Sequence, residues 1–207
     1  MKTLVIHPTD ASTDFLTEIY RDKGYTVINH NPSHKELKDA IKNHGRIMML
    51  GHGVPQGLIG YGRLIINPTL VQILREKLCV GIWCNADQFF NRYKLKGFFT
   101  GMFISEVEEA AHFGIRITQD KIDYSNDYFA SEFRKYESLF SVHSLIKEHY
   151  NSFDCPVIQF NNDRLYERDD AQEAYDTMVM ESNLAAKDLE DEMRDFTIDD
   201  YEITDSK

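Results

Sequence analysis

Two apolar runs of this 207-residue chain end on residues capable of covalent chemistry. Ile47-Met48-Met49-Leu50 leads into Gly51-His52-Gly53, and the run from Leu78 to Trp83 leads into Cys84-Asn85. A neutral imidazole beside a thiol takes its proton, and the thiolate left behind is a competent nucleophile. His52 is therefore a candidate general base and Cys84 a candidate nucleophile. Gly53 carries no side chain to shield its N–H, which with the N–H of Cys84 makes a candidate oxyanion hole. The chemistry is acyl transfer. It requires that the two runs be neighbouring parallel strands, about 4.8 Å apart, with matching ends.

The elements that would position these residues are legible in order. Thr3–Ile6 reads as a strand, and Ser12 and Thr13 read as caps of a helix reaching about Asp22 and stopped by Gly24. Tyr25–Ile28 is a second strand. Ser33, with Glu36 three residues on, has capping-box spacing for a helix through Leu37–Ile41. Ile47–Leu50 is apolar at every position, as expected of a strand covered on both faces. Pro68–Lys77 reads as a helix and Leu78–Trp83 as the next strand. This alternation predicts an α/β fold, a mostly parallel sheet between helices. Farther on, Gly97–Ile104 reads equally as strand or helix start. Ser105–Phe113, Asn126–Tyr136 and Ser141–Tyr150 have helical spacing, and Ile115–Thr118 and Pro156–Phe160 read as short strands.

The remaining chemically capable residues have plainer readings. Cys79 lies five positions before Cys84 on one strand, so alternation sends it to the opposite face and into the core. His30 and His34 flank Pro32 in a loop, which argues against a helical pair of metal ligands. His7 ends the first strand and reads as a satisfied or surface histidine. The glycine-dense stretch Gly51–Gly62 lacks both a Gly-x-Gly-x-x-Gly fingerprint and a Lys-Ser/Thr pair, and is expected to be a mobile loop beside the site. Three cysteines without Cys-x-x-Cys spacing argue against a zinc site and for a reducing, cytoplasmic setting. Neither a metal nor an organic cofactor is called for.

The net charge of −11 is unevenly placed. Residues 167–207 hold 15 acidic and 4 basic residues, a net of −11, which leaves 19 of each sign in residues 1–166. The expected organisation is a neutral α/β domain over 1–166 and an acidic extension over 167–207. Ala171, Tyr175, Met178, Ala185, Leu189, Met193 and Phe196 recur at helical spacing, so the extension is expected to be amphipathic, frayed over its last ten or so residues. Neither part has the basic footprint that nucleic acids demand, and no run approaches the ~20 apolar residues of a membrane span. The extension could instead cover a cleft or recruit a basic protein partner.

With the His-Gly and Cys strand ends in view, the sequence resembles the caspase-like (clan CD) cysteine peptidases over about residues 1–130. Within that clan it is most similar to the bacterial CHAT-type domains. There the nucleophile strand is followed by a Gly-aromatic segment and a helix, here Gly97-Phe98-Phe99 and Ser105–Phe113. It is also similar to bacterial proteins sharing Gly-His-Gly and Ile-Trp-Cys-Asn-Ala-Asp patterns, a likeness that carries no activity with it. The resemblance implies a three-layer α/β/α fold and a peptide or protein substrate. It also implies His52 as base, Cys84 as nucleophile and Gly53 as an oxyanion donor. The loop after the first strand borders the specificity pocket in that clan, which makes Asp10 a candidate for binding a basic substrate side chain; Asp87 is a second. Trp83 stands where such peptidases carry a small residue, and Asn85-Ala86-Asp87 replaces their usual Arg-Gly or Ser-Gly. These departures leave a non-catalytic caspase-like binding module as the alternative, and another thiol enzyme of α/β type as a third reading.

Overall fold

The computed structural model describes residues 1–138, 141–169 and, beyond these, 172, 178, 179, 182, 183, 186, 187 and 190. The chain divides into Met1–Arg168 and Asp169–Lys207. In the first unit, β1 (Thr3–Ile6) is followed by a short 3-10 turn (Asp14–Leu16), α1 (Thr17–Tyr20), β2 (Thr26–Ile28), α2 (His34–Lys42) and β3 (Arg46–Leu50). Three short strands come next, β4 (Gly53–Val54), β5 (Gly57–Gly60) and β6 (Arg63–Leu64), then α3 (Val71–Leu74), β7 (Leu78–Ile82), α4 (Ala86–Tyr93) and β8 (Lys96–Thr100). Helices α5 (Val107–His112), α6 (Gln119–Tyr136), α7 (Val142–His149) and α8 (Pro156–Asn162) precede β9 (Leu165–Arg168).

The main sheet has the order β2-β1-β3-β7-β8-β9, parallel except for the antiparallel edge strand β9. Strand alternation splits its apolar residues between two cores. Val5, Met48, Leu50, Val80, Ile82 and Phe98 face α1, α6, α7 and α8. Leu4, Ile6, Ile47, Met49, Cys79 and Phe99 face α2, α3 and α4. The result is the α/β/α sandwich, which explains why β1 and β3 are buried throughout and apolar over Leu4–Ile6 and Ile47–Leu50. The capping box of α2 is formed as its sequence predicts: Ser33 accepts from Glu36 N–H at 3.1 Å, and Glu36 accepts from Ser33 N–H at 3.4 Å. At the opposite end of the strands from the candidate site, Arg46 donates to the Glu137 carboxylate and backbone carbonyl. Tyr25 (2.6 Å) and Lys23 (3.3 Å) share that carboxylate.

Several expectations are corrected. Pro156–Asn162 is a helix, because Pro156 occupies its first turn, where a missing N–H costs nothing. Ile115–Thr118 forms no strand; Ile115 and Ile117 pack against the core on the way into α6. Gly51–Gly62 is not a loop: it supplies β4 and β5, which with β6 just beyond it form a three-stranded antiparallel sheet of order β4-β5-β6. Gly97–Thr100 resolves as strand, within β8. The helix expected from Ser12 to Asp22 is one 3-10 turn and one α turn, and neither Ser12 nor Thr13 makes a side-chain cap. Residues 167 and 168, assigned above to the extension, belong to β9. In the second unit, the described residues from 172 to 190 are helical and exposed. Of the amphipathic stripe, Met178 is exposed; Ala171, Tyr175, Ala185, Leu189, Met193 and Phe196, and the final run from Thr197, lie outside the described residues.

Candidate functional site

In open α/β sheets, reactive groups collect at the carboxyl ends of the strands, where the strand order reverses direction. Here that place is the β1/β3 junction, with β7 beside it. The register pairs Leu50 with Ile82, and Gly51 N–H extends the ladder to Ile82 O at 3.0 Å. His52 and Cys84 therefore follow matched positions on adjacent parallel strands, as the acyl-transfer reading requires.

Their side chains do not meet. The His52 Nε2 lies 2.8 Å from Ser12 Oγ and 3.2 Å from Asp10 Oδ2, over the end of β1. The Cys84 Sγ lies 3.4 Å from Phe103 O and 3.7 Å from Glu109 Oε1, on the side of β8. In this arrangement the dyad expected from the sequence is open. The two groups diverge because each finds a partner on its own flank of the β3–β7 pair.

The network around His52 decides which nitrogen is protonated. Ser12 has one hydroxyl proton and donates it to Asp10 Oδ1 at 2.9 Å. Its oxygen is then an acceptor at Nε2, and Asp10 Oδ2 accepts there too, so Nε2 carries the hydrogen and Nδ1 of the neutral ring keeps the lone pair. Asp10 also accepts from the N–H groups of Ser12 and Thr13, both at 3.1 Å. Burial disfavours its charge, but the hydrogen bonds from Ser12 and Thr13 and the nearby His52 outweigh it and hold its carboxyl below the usual range. Asp10 thus has both oxygens engaged, Oδ1 by Ser12 and Thr13 and Oδ2 by His52, with its side chain still partly exposed. His7, one turn of chain earlier, is wholly buried. Its Nδ1 pairs with Tyr20 Oη at 3.0 Å, and its Nε2 has no hydrogen bond to a described residue. Burial lowers its pKa to about 4.

Cys84 is held by the turn from β7 into α4. Asn85 takes the left-handed conformation at φ 67°, which asparagine tolerates. Its N–H donates to Gly101 O at 3.1 Å, and Thr100 Oγ1 donates to Trp83 O at 3.0 Å. Burial, and after it the Glu109 carboxylate, push the Cys84 thiol up to about 12. Trp83 packs in the other core with Phe89 and Phe90, its Nε1 donating to Val54 O at 3.3 Å, so the indole does not cover the sulfur. Gly53 is required by that indole: a Cβ there would sit 2.5 Å from Trp83 Cγ. Asp87, in the first turn of α4, has one carboxylate oxygen buried with no hydrogen-bond partner among the described residues, and burial raises its pKa. Cys79 is buried at the expected opposite face, and Cys155 is buried at the head of α8.

Two participants escaped the sequence reading. Ser12 passed as a helix cap. Nothing in the sequence sets Glu109 beside Cys84; Glu106 and Glu109 have the spacing of a reciprocal cap, which the structure forms. Beside Glu109 runs a groove of about 510 Å³ lined by Asn85, Met102, Glu108, Glu109, His112 and Phe113. Among the described residues no cluster of three or more His, Cys, Asp or Glu side chains is arranged to hold a metal, and no helix is long and apolar enough to cross a membrane. No family model and no curated protein matches the chain.

Proposed function

We propose that the chain is a caspase-like cysteine hydrolase acting on peptide bonds, with Cys84 as nucleophile and His52 as base, resting with the two groups apart. The observation that carries this reading is the register of β3 on β7, which delivers an imidazole and a thiol to matched ends of adjacent strands. The Asp10–Ser12 network supports it further. A carboxylate that fixes Nε2–H leaves Nδ1 as the basic nitrogen, the arrangement by which a third group orients a catalytic histidine.

In the reaction, Nδ1 takes the thiol proton as the sulfur attacks the carbonyl carbon. The oxyanion is met by the N–H groups of Gly53 and Cys84. Collapse breaks the C–N bond, and the imidazolium returns the proton to the leaving amine. Water, deprotonated by His52, then cleaves the thioester and regenerates the thiol. Asp87, in the first turn of α4 and three residues after Cys84, is the second candidate to receive a basic substrate side chain.

A second reading is favoured by one observation. The thiol pairs with a carboxylate instead of the imidazole, which suits a binding module of caspase-like fold without turnover. Incubation with a randomised peptide library, read by mass spectrometry, separates the two. The hydrolase reading expects cleavage that disappears in Cys84→Ala and in His52→Ala. Cleavage that survives either substitution, or none by the wild type, ends it. If Asp87→Asn cleaves basic and neutral peptides with the wild-type preference, the role given to Asp87 fails.

A further inference from the structure

Glu109 stands in an unusual relation to the sulfur. Its Oε2 is fully engaged at the N-terminus of α5, accepting from Ser105 N–H at 2.7 Å, Ser105 Oγ at 3.2 Å and Glu106 N–H at 3.3 Å. These bonds clamp the carboxylate, and the clamp aims Oε1 at Cys84 Sγ, 3.7 Å away. The thiol has one proton and two acceptors within reach, Oε1 and Phe103 O. The Glu109 contact favours the S–H form, since a thiolate would face a fixed negative charge in a largely dehydrated place. Among the described residues, Glu109 is the charge that bears on the sulfur; Glu108 and His112 line the same groove, and His52 is turned to Asp10 and Ser12.

We propose that Glu109 is a latch that keeps Cys84 in its unreactive thiol form until the Oε1 contact is broken. The inference deepens the hydrolase reading and rests on it for its biological sense, since the latch makes nucleophile release a separate step from proton transfer to His52. Because Glu109 forms part of the groove wall, the latch is open to whatever occupies that groove.

The test is the rate of iodoacetamide labelling of Cys84 between pH 6 and pH 10, located by peptide mass spectrometry, in the wild type and in Glu109→Gln. Glutamine keeps a carbonyl oxygen for the N–H groups of Ser105 and Glu106, so α5 retains its cap while the charge at the sulfur is lost. At pH 8 the variant is expected to label at least about tenfold faster, with its pH midpoint moved toward the ordinary thiol value of about 8.5. Glu109→Asp, which keeps the charge but withdraws it, is expected to fall between. An unchanged rate and midpoint in Glu109→Gln overturns the latch. So does an acceleration shared by the buried Cys79 and Cys155, which reports unfolding. Faster labelling of Cys84 alone, without peptide cleavage by any form, keeps the latch and removes the hydrolase. Cleavage by the wild type together with unchanged labelling does the reverse.

Discussion

Replacing Gly53 with alanine tests whether the junction of β3 and the small sheet is as tightly determined as the geometry implies. The added Cβ would stand 2.5 Å from Cγ and 2.7 Å from Nε1 of Trp83. The indole is 1% exposed and wedged against Phe89 and Phe90, with ring centroids 5.9 Å from each, so it has nowhere to retreat. Overpacking of this kind costs typically about 1–3 kcal/mol. With a urea dependence of about 2 kcal/mol per molar, a loss of about 2 kcal/mol lowers the unfolding midpoint by about 1 M. Trp83→Phe is destabilising alone, through lost volume and the lost hydrogen bond to Val54. Combined with Gly53→Ala it is expected to recover part of the loss, so the double variant should be more stable than the sum of the singles by over about 0.5 kcal/mol. Urea melts followed by far-UV circular dichroism at fixed m provide the measurement. A Gly53→Ala midpoint equal to wild type, or strict additivity in the cycle, would refute the packing argument and return Gly53 to a residue chosen for its N–H alone.

Other consequences are equally open to measurement. Arg46→Met leaves the Glu137 carboxylate, 1% exposed, with Tyr25 and Lys23 as its side-chain partners among the described residues, and is expected to cost about 3–5 kcal/mol in urea melts; a loss under about 1 kcal/mol would mean that the pair contributes little. His7 has its pKa lowered to about 4, against about 6.5 in the unfolded chain, so the unfolded state binds the extra proton first as pH falls. Stability should therefore drop by about 3 kcal/mol between pH 6.5 and pH 4 on this group's account, and His7→Gln should flatten that part of the profile; parallel profiles for the two proteins would contradict it. If Asp10 orients the proposed base, Asp10→Asn lowers kcat for peptide cleavage about 10²-fold with little change in KM; a change in KM alone would return Asp10 to the substrate. Ending the chain at Arg168 should preserve the cooperative melt of the first unit. Ending it at Tyr166 removes the pairs Gly97–Arg168 and Phe98–Glu167 and should cost roughly 1–3 kcal/mol; equal melts would place the boundary earlier.

The parallel sheet was readable because its strands declare themselves. Thr3–Ile6 and Ile47–Leu50 are buried on both faces, and a continuous apolar run between turn residues has few other uses. The second half was harder for the same physical reason. Pro156-Val157-Ile158 is a short apolar run whether it packs as a strand or as the first turn of a helix, and length alone does not separate the two. Strand β9 was hidden because its Leu-Tyr-Glu-Arg pattern belongs to an edge, where two of the four residues face solvent. At the site, the sequence located His52 and Cys84 from strand ends, which depend on local pattern. It did not foresee their partners. Ser12 and Glu109 approach them across 40 and 25 residues of chain, through turns whose own capping chemistry masked any other role. Asp10 illustrates the limit well: its position beside the site was legible, whereas its commitment to Nε2 depends on one oxygen being 3.2 Å away.

His52 and Cys84 are proposed to act as one unit once the thiol leaves Glu109. The most direct measurement is a crystal structure of the chain inactivated by a peptidyl electrophile that forms a thioether with Cys84. The expected adduct has the sulfur turned away from Glu109, His52 Nδ1 within about 4 Å of it or hydrogen-bonded to the adduct oxygen, and Nε2 still donating to Asp10. An adduct in which the imidazole remains remote from the sulfur and its substituent, or a protein in which Cys84 takes up no electrophile, would contradict it.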